Sequence, residues 1–182
     1  MTENSKLIYD KLQDIFKNIW EQQKYSEVKN GVILTFNIAI LVILIRVCFP
    51  LPQFIQNDIV NKNIFIGLVL IFIIHIFYII RSFFPKDTNK ENIKWTNNQI
   101  NIFYFGDIQK LESDSYLKIV IDKFNIINAD INKNVLLDLS NQIVKLAEIT
   151  TYKYNSFKYS IYRMYIITCL FIIYFLYIYF TR

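Results

Sequence analysis

The chain has 182 residues, 54% of them hydrophobic and 19% charged, with a net charge of +5 and a mean hydropathy of +0.28. Soluble domains lie nearer about 45–50% apolar even with glycine counted, so an ordinary water-soluble globule is excluded. The 20 basic and 15 acidic residues are scattered without a basic stripe, which suits a neighbour of anionic lipid or of an anionic ligand and excludes a nucleic-acid-binding surface.

In chain order, residues 5–28 carry Ile8, Leu12, Ile15, Phe16 and Ile19 at the helical period with charges between them. This predicts an amphipathic helix that lies on a membrane surface or packs in a bundle, with Trp20 at the lipid interface. Three apolar blocks follow: "VILTFNIAILVILIRVCF" (32–49), "IFIGLVLIFIIHIFYIIRSFF" (64–84) and "MYIITCLFIIYFLYIYF" (164–180). At about 1.5 Å per residue each reaches roughly 25–32 Å, close to a bilayer core of about 30 Å. Pro50 and Pro52 close the first block and Pro85 closes the second, because proline lacks the amide hydrogen a helix needs. A charged segment precedes the first block and no small-residue cleavage site follows it, so it is not read as a signal peptide.

Lysine and arginine near the block ends set the orientation. Lys24, Lys29, Arg81, Lys86, Lys90, Lys94, Lys153, Lys158 and Arg163 collect on one side, against Arg46, Lys62 and Arg182 on the other. The amino terminus and residues 86–162 are therefore expected in the cytoplasm, with residues 50–63 as a short outer loop. Within the blocks, Arg46 is placed to snorkel, while Asn37 and His75 are polar groups in lipid. Such groups either bond to a neighbouring helix or line a pore.

Between the second and third blocks, "KDTNKENIKWTNNQI" (86–100) reads as a polar loop. "INIFYF" (100–105) reads as a short strand or an extended segment, with Asp107 capping a helix from Ile108. A second helix restarts with Ser113 or Ser115 as its cap and Leu117, Val120, Ile121 and Phe124 on one face. From about Asn132, Val135, Leu139, Gln142, Leu146 and Ile149 keep the helical period into the third block, and no Gly or Pro interrupts them. One long helix is expected there. The resulting class is an all-α membrane protein. Its segments are an amphipathic helix (1–30), a transmembrane hairpin (31–84), a small helical cytoplasmic module (85–162) and a final span (163–182). The module is near the size at which a lone core is marginal, so a homo-oligomer is expected.

No catalytic constellation is present in the sequence. Cys48 and Cys169 sit in apolar blocks without metal or disulfide spacing, and one histidine, His75, supports no catalytic dyad. No metal and no resident cofactor are expected, and the chain is not read as an enzyme.

Two blocks carry a resemblance. "NIFYFGDIQKLESDSYLKIV" (101–120) and "QIVKLAEITTYKYNSFKYSIYRM" (142–164), in that order between spans and after a leader running into the Asn37 span, are similar to the transmembrane effectors of the Pycsar anti-phage systems. Lys158 stands where that family more often has arginine, and lysine cannot make a guanidinium's bidentate anion contact. The resemblance implies a receptor for a cyclic pyrimidine mononucleotide, cyclic CMP or cyclic UMP, made by a partner cyclase. It also implies an effector that impairs the bacterial inner membrane and causes abortive infection. Such a ligand offers one phosphate and one stackable base, so it needs an anion site and an aromatic wall. Phe103, Tyr104 and Phe105 are candidates for the wall, the amides at Gly106 for the phosphate, and Lys153, Lys158 and Arg163 for added charge. Asp107 opposes a phosphate at its own turn, and the aromatics serve equally well as packing. The alternatives are a ligand-independent, holin-like or toxin pore former and a membrane effector gated by another cyclic mono- or oligonucleotide.

Overall fold

The computed structural model describes residues 3–48, 59–84, 100–125 and 133–181. All regular structure among them is helical: α1 (Glu3–Cys48), α2 (Ile59–Arg81), α3 (Phe105–Ile108), α4 (Ser113–Lys123) and α5 (Lys133–Thr181). α1, α2 and α5 are each long and apolar enough to cross a membrane, and the class is the expected all-α membrane protein. The three prolines, the linker 86–99, Asn132 and the Cys48 side chain lie outside the described residues.

Two bounds differ from the sequence reading. The amphipathic helix and the first span form one unbroken α1. Gly31 has open space around it, and a single helical glycine costs only about 0.5–1 kcal/mol relative to alanine. α2 begins at Ile59 rather than at residue 64, because Val60, Asn61, Lys62 and Asn63 continue the helix before the apolar run.

The chain divides into two compact units, Met1–Glu27 with Pro85–Tyr154 and Val28–Phe84 with Asn155–Arg182, and α1 and α5 contribute to both. In the first unit, α1 buries Ile8, Leu12, Ile15 and Ile19. Against them pack Ile102, Phe105, Ile108 and Leu111, then Tyr116, Leu117, Ile119 and Val120 of α4, and Leu136, Ile143, Val144 and Ala147 of α5. Each fully buried aliphatic side chain of this kind contributes about 1.5–3 kcal/mol of transfer free energy.

The α5 face follows the predicted periodic residues only in part: Leu146 is buried and Leu139 packs half-buried against the core. Leu136, Ser140, Ile143, Ala147 and Thr150 point inward, while Val135 and Gln142 are exposed. Polar Ser140 is tolerated inside because its hydroxyl donates to the Ser113 carbonyl at 2.7 Å. Thr150 likewise donates to the Leu146 carbonyl at 2.8 Å.

The turns also differ. Residues 102–103 form a turn rather than a strand, and α3 starts at Phe105. Asp107 does not cap a following helix; its carboxylate turns back to accept the Asn101 amide at 3.2 Å. Neither Ser113 nor Ser115 caps α4. Glu112 holds the cap position, and the Ser113 hydroxyl donates instead to Asn141 Oδ1 at 3.1 Å. α4 ends at Lys123 with Phe124 as its C-cap, and the next residue, Asn125, has a φ of 51°, a left-handed value that asparagine tolerates better than most residues.

In the second unit the outward side chains are apolar, among them Val32, Phe36, Leu70, Phe77, Ile166 and Ile173. Phe65, Leu68, Tyr174 and Ile178 form one inner cluster, and Phe72, Ile76 and Ile167 form another with Phe171 against it. α2 runs antiparallel to α5. The Tyr174 hydroxyl donates to the Asn61 carbonyl at 3.1 Å, and at the other end the Arg163 guanidinium lies 5.0 Å from the Tyr78 ring centre.

Tyr116 ties the first unit together by donating to the Ile102 carbonyl at 3.1 Å from a fully buried position. Tyr116→Phe leaves that carbonyl unmatched and is expected to cost about 1–3 kcal/mol. Burial also pushes the Tyr116 phenol upward. The folded state therefore holds the proton, and this contribution is complete below about pH 10 and lost as pH rises beyond it. Melts followed by circular dichroism at about pH 8 and about pH 11 should show a smaller alkaline loss in Tyr116→Phe than in the wild type.

Candidate functional site

The aromatic stretch flanking α3 is split between core and surface. Phe105 is 7% exposed and packs in the first unit's core, whereas Phe103 and Tyr104 are 48% and 49% exposed. The rings form a short ladder, with Tyr104 to Phe105 centroids at 4.9 Å and Phe105 to Tyr154 at 5.1 Å. Gly106 is buried beneath the Tyr104 ring, and a Cβ there would come within 2.5 Å of Tyr104 Cε1. A side chain at Gly106 would have to displace the half-exposed Tyr104 ring, and its φ is not a left-handed value. Phe103 and Tyr104 thus offer the accessible π-faces of this site, backed by Phe105 and Tyr154.

The electrostatics of the turn are mixed. Lys110 Nζ lies 3.3 Å from Asp107 Oδ1, and the same carboxylate accepts from Asn101, so a negative charge is fixed next to Gly106.

Of the basic candidates, Lys153 is in the first unit and Lys158 and Arg163 are in the second. The Lys153 side chain is largely buried and forms an ion pair with Glu27 of α1, which also accepts from Gln23 at 3.3 Å. To reach an anion, Lys153 must leave or share that carboxylate. Lys158 is exposed. Arg163 is held over Tyr78, with Nη2 donating to Ser160 at 3.2 Å.

The two intramembrane candidates are buried inside the second unit, Asn37 at 0% and His75 at 2% exposure. Asn37 donates to the Ile33 carbonyl at 2.7 Å and approaches Met164 Sδ at 3.9 Å. His75 packs near Phe72, with ring centroids 6.3 Å apart.

Three features escaped the sequence reading. Tyr154 and Glu27 complete the aromatic ladder and the Lys153 ion pair. The third is an open groove of about 440 Å³ in the first unit, lined by Tyr9, Gln13, Phe16, Lys17, Val135, Asp138, Leu139 and Gln142. Its α5 wall includes Val135, Leu139 and Gln142, three of the residues that keep the helical period in the sequence. Among the described residues, no cluster of three His, Cys, Asp or Glu side chains is placed to hold a metal.

Comparison with known families matches residues 11–180 to the Pycsar effector protein domain. The chain belongs to that family. No curated protein and no solved structure matches it. The Pycsar effector domain is not a known enzyme family, and membership implies a role in anti-phage defence and a signal made by a partner nucleotide cyclase. The match runs through the α3 turn, α4 and α5 as far as residue 180, so both blocks that carry the resemblance fall inside it.

Exposure separates packing from recognition here. Phe105→Ala should lower stability by about 3–5 kcal/mol, because it empties a core position. Tyr104→Ala should stay within about 0.5 kcal/mol of wild type, as an exposed ring. A loss of nucleotide affinity in Tyr104→Ala at unchanged melting temperature would assign the ring to the ligand. Glu27→Gln should cost about 1–3 kcal/mol in the first unit through the weakened Lys153 contact, readable as faster hydrogen exchange in α1.

Proposed function

We propose that this protein is the membrane-impairing effector of a Pycsar system, activated by cyclic CMP or cyclic UMP. Family membership over residues 11–180 is the observation that carries the reading. Three helices able to cross a membrane and a separate helical unit with exposed aromatic faces are consistent with it. The amino terminus and the first unit lie in the cytoplasm, where the nucleotide is made. Support for this orientation comes from the excess of lysine and arginine on that side of the spans.

Phe103 and Tyr104 stack on the pyrimidine, and a lysine of the first unit meets the phosphate. Binding favours one arrangement of a homo-oligomer, and this differential affinity drives the change in the membrane. The bacterial inner membrane then loses its ion gradients, and the infected cell stops before phage is released.

The test uses purified full-length protein, a binding screen against cyclic mono- and oligonucleotides, and vesicles loaded with a self-quenched dye. The expected result is binding of cyclic CMP or cyclic UMP, a larger oligomer on gel filtration, and dye release only with that nucleotide. Release without any nucleotide would replace this reading with a ligand-independent pore former. A response confined to a cyclic oligonucleotide would replace the proposed signal.

A further inference from the structure

The second unit is mixed polar and apolar inside at one end and apolar inside at the other. At the end where Lys29 lies over the Phe157 ring, buried Ile33 and Ile79 alternate with buried polar residues: Asn30 and Asn37 of α1, His75 and Ser82 on the α2 side, and Ser160 of α5. Arg163 sits one turn beyond Ser160. Ile76 lies beside His75, and further along the unit the buried positions become Phe72 and Ile167, followed by Phe65, Leu68, Tyr174 and Ile178.

Several atoms of the polar part find no hydrogen-bond partner among the described residues: Asn37 Oδ1, both His75 ring nitrogens and Arg163 Nε. These side chains belong together. Asn37 approaches Met164, the neighbour of Arg163, and Arg163 covers Tyr78, one turn from His75. A neutral histidine offers one donor and one acceptor, Arg163 Nε a donor, and Asn37 Oδ1 an acceptor. The complement of that set is a molecule that both donates and accepts, namely water. Lipid tails cannot supply it, and polar groups facing hydrocarbon without partners are strongly disfavoured.

We infer that this seam is a closed half-channel. Asn37, His75 and Arg163 line its watered part, and the layer of Phe72, Ile167 and Phe171 beyond it is a hydrophobic gate that excludes water until the helices separate. The fixed charge on the lining is the Arg163 guanidinium, so the permeant class is small hydrated anions. This inference rests on the proposed membrane-impairing role and gives it a route through the chain's own helices.

The experiment uses full-length protein in vesicles of phosphatidylethanolamine and phosphatidylglycerol, with chloride and potassium efflux measured side by side. Phe72→Ala and, independently, Phe171→Ala should release chloride with no nucleotide present and release it faster than potassium. His75→Leu should fold, bind nucleotide as the wild type does, and abolish the nucleotide-triggered leak. The double variant Phe72→Ala with His75→Leu should be tight again, which a non-specific leak from misfolded protein would not be.

Tight vesicles with both gate variants, a leak that survives His75→Leu, or equal potassium and chloride release would overturn the half-channel. Wild-type vesicles that stay tight with cyclic CMP and cyclic UMP while Phe72→Ala leaks would overturn the proposed signal and leave the gate standing.

Discussion

Hydrophobic burial changes sign along α1 and α5, and the rest of the structure depends on that inversion. In the first unit α1 hides Ile8, Leu12, Ile15 and Ile19. In the second unit the same helix turns Val32, Phe36 and Ile43 outward and keeps Asn37 inside. α5 repeats the change, burying Ile143, Val144 and Ala147 before exposing Ile166, Ile173 and Phe180. In water the hydrophobic effect drives apolar faces together. In lipid that drive is absent between helices, and small residues, polar contacts and shape decide which face turns in. A helix that serves both solvents therefore carries two opposite patterns in one continuous backbone.

The apolar stretches were legible because length and composition alone identify a span. So was the stripe of α1, where large aliphatic residues recur at helical spacing. The α5 face was legible only in part, through Leu146 and Leu139. Val135, Leu139 and Gln142 compete with Leu136, Ser140 and Ile143 at the same period, and the true inner face contains a serine and a threonine whose hydroxyls are satisfied at Ser113 and Leu146. Asp107 was misread for a related reason. Its carboxylate has a backward partner in Asn101, which no forward capping rule anticipates.

The candidate site shows the same boundary. The aromatic and glycine block around Gly106 stood out as a motif, and Gly106 does lie close beneath the Tyr104 ring. The Lys153–Glu27 pair joins residues 126 positions apart, and nothing local in either segment announces it. Sequence composition could name a lysine as an anion contact, but only the folded arrangement shows that a carboxylate already holds it. The groove beside Tyr9 and Phe16 is likewise made by two helices from opposite ends of the chain, and each wall alone reads as ordinary amphipathic surface.

α2 has 23 residues, which at about 1.5 Å each gives a rod of about 34 Å. That is close to the hydrocarbon thickness of an average bilayer, about 30 Å, and leaves the helix little excess length. Its hydrophobic match is then sensitive to lipid composition. A thinner membrane asks α2 to tilt, and a thicker one asks the bilayer to pinch. Phe72 lies near its middle, so the apolar layer feels either adjustment. Membrane thickness thus enters as a physical variable of its own, one that acts on the transmembrane helices without any molecule being bound.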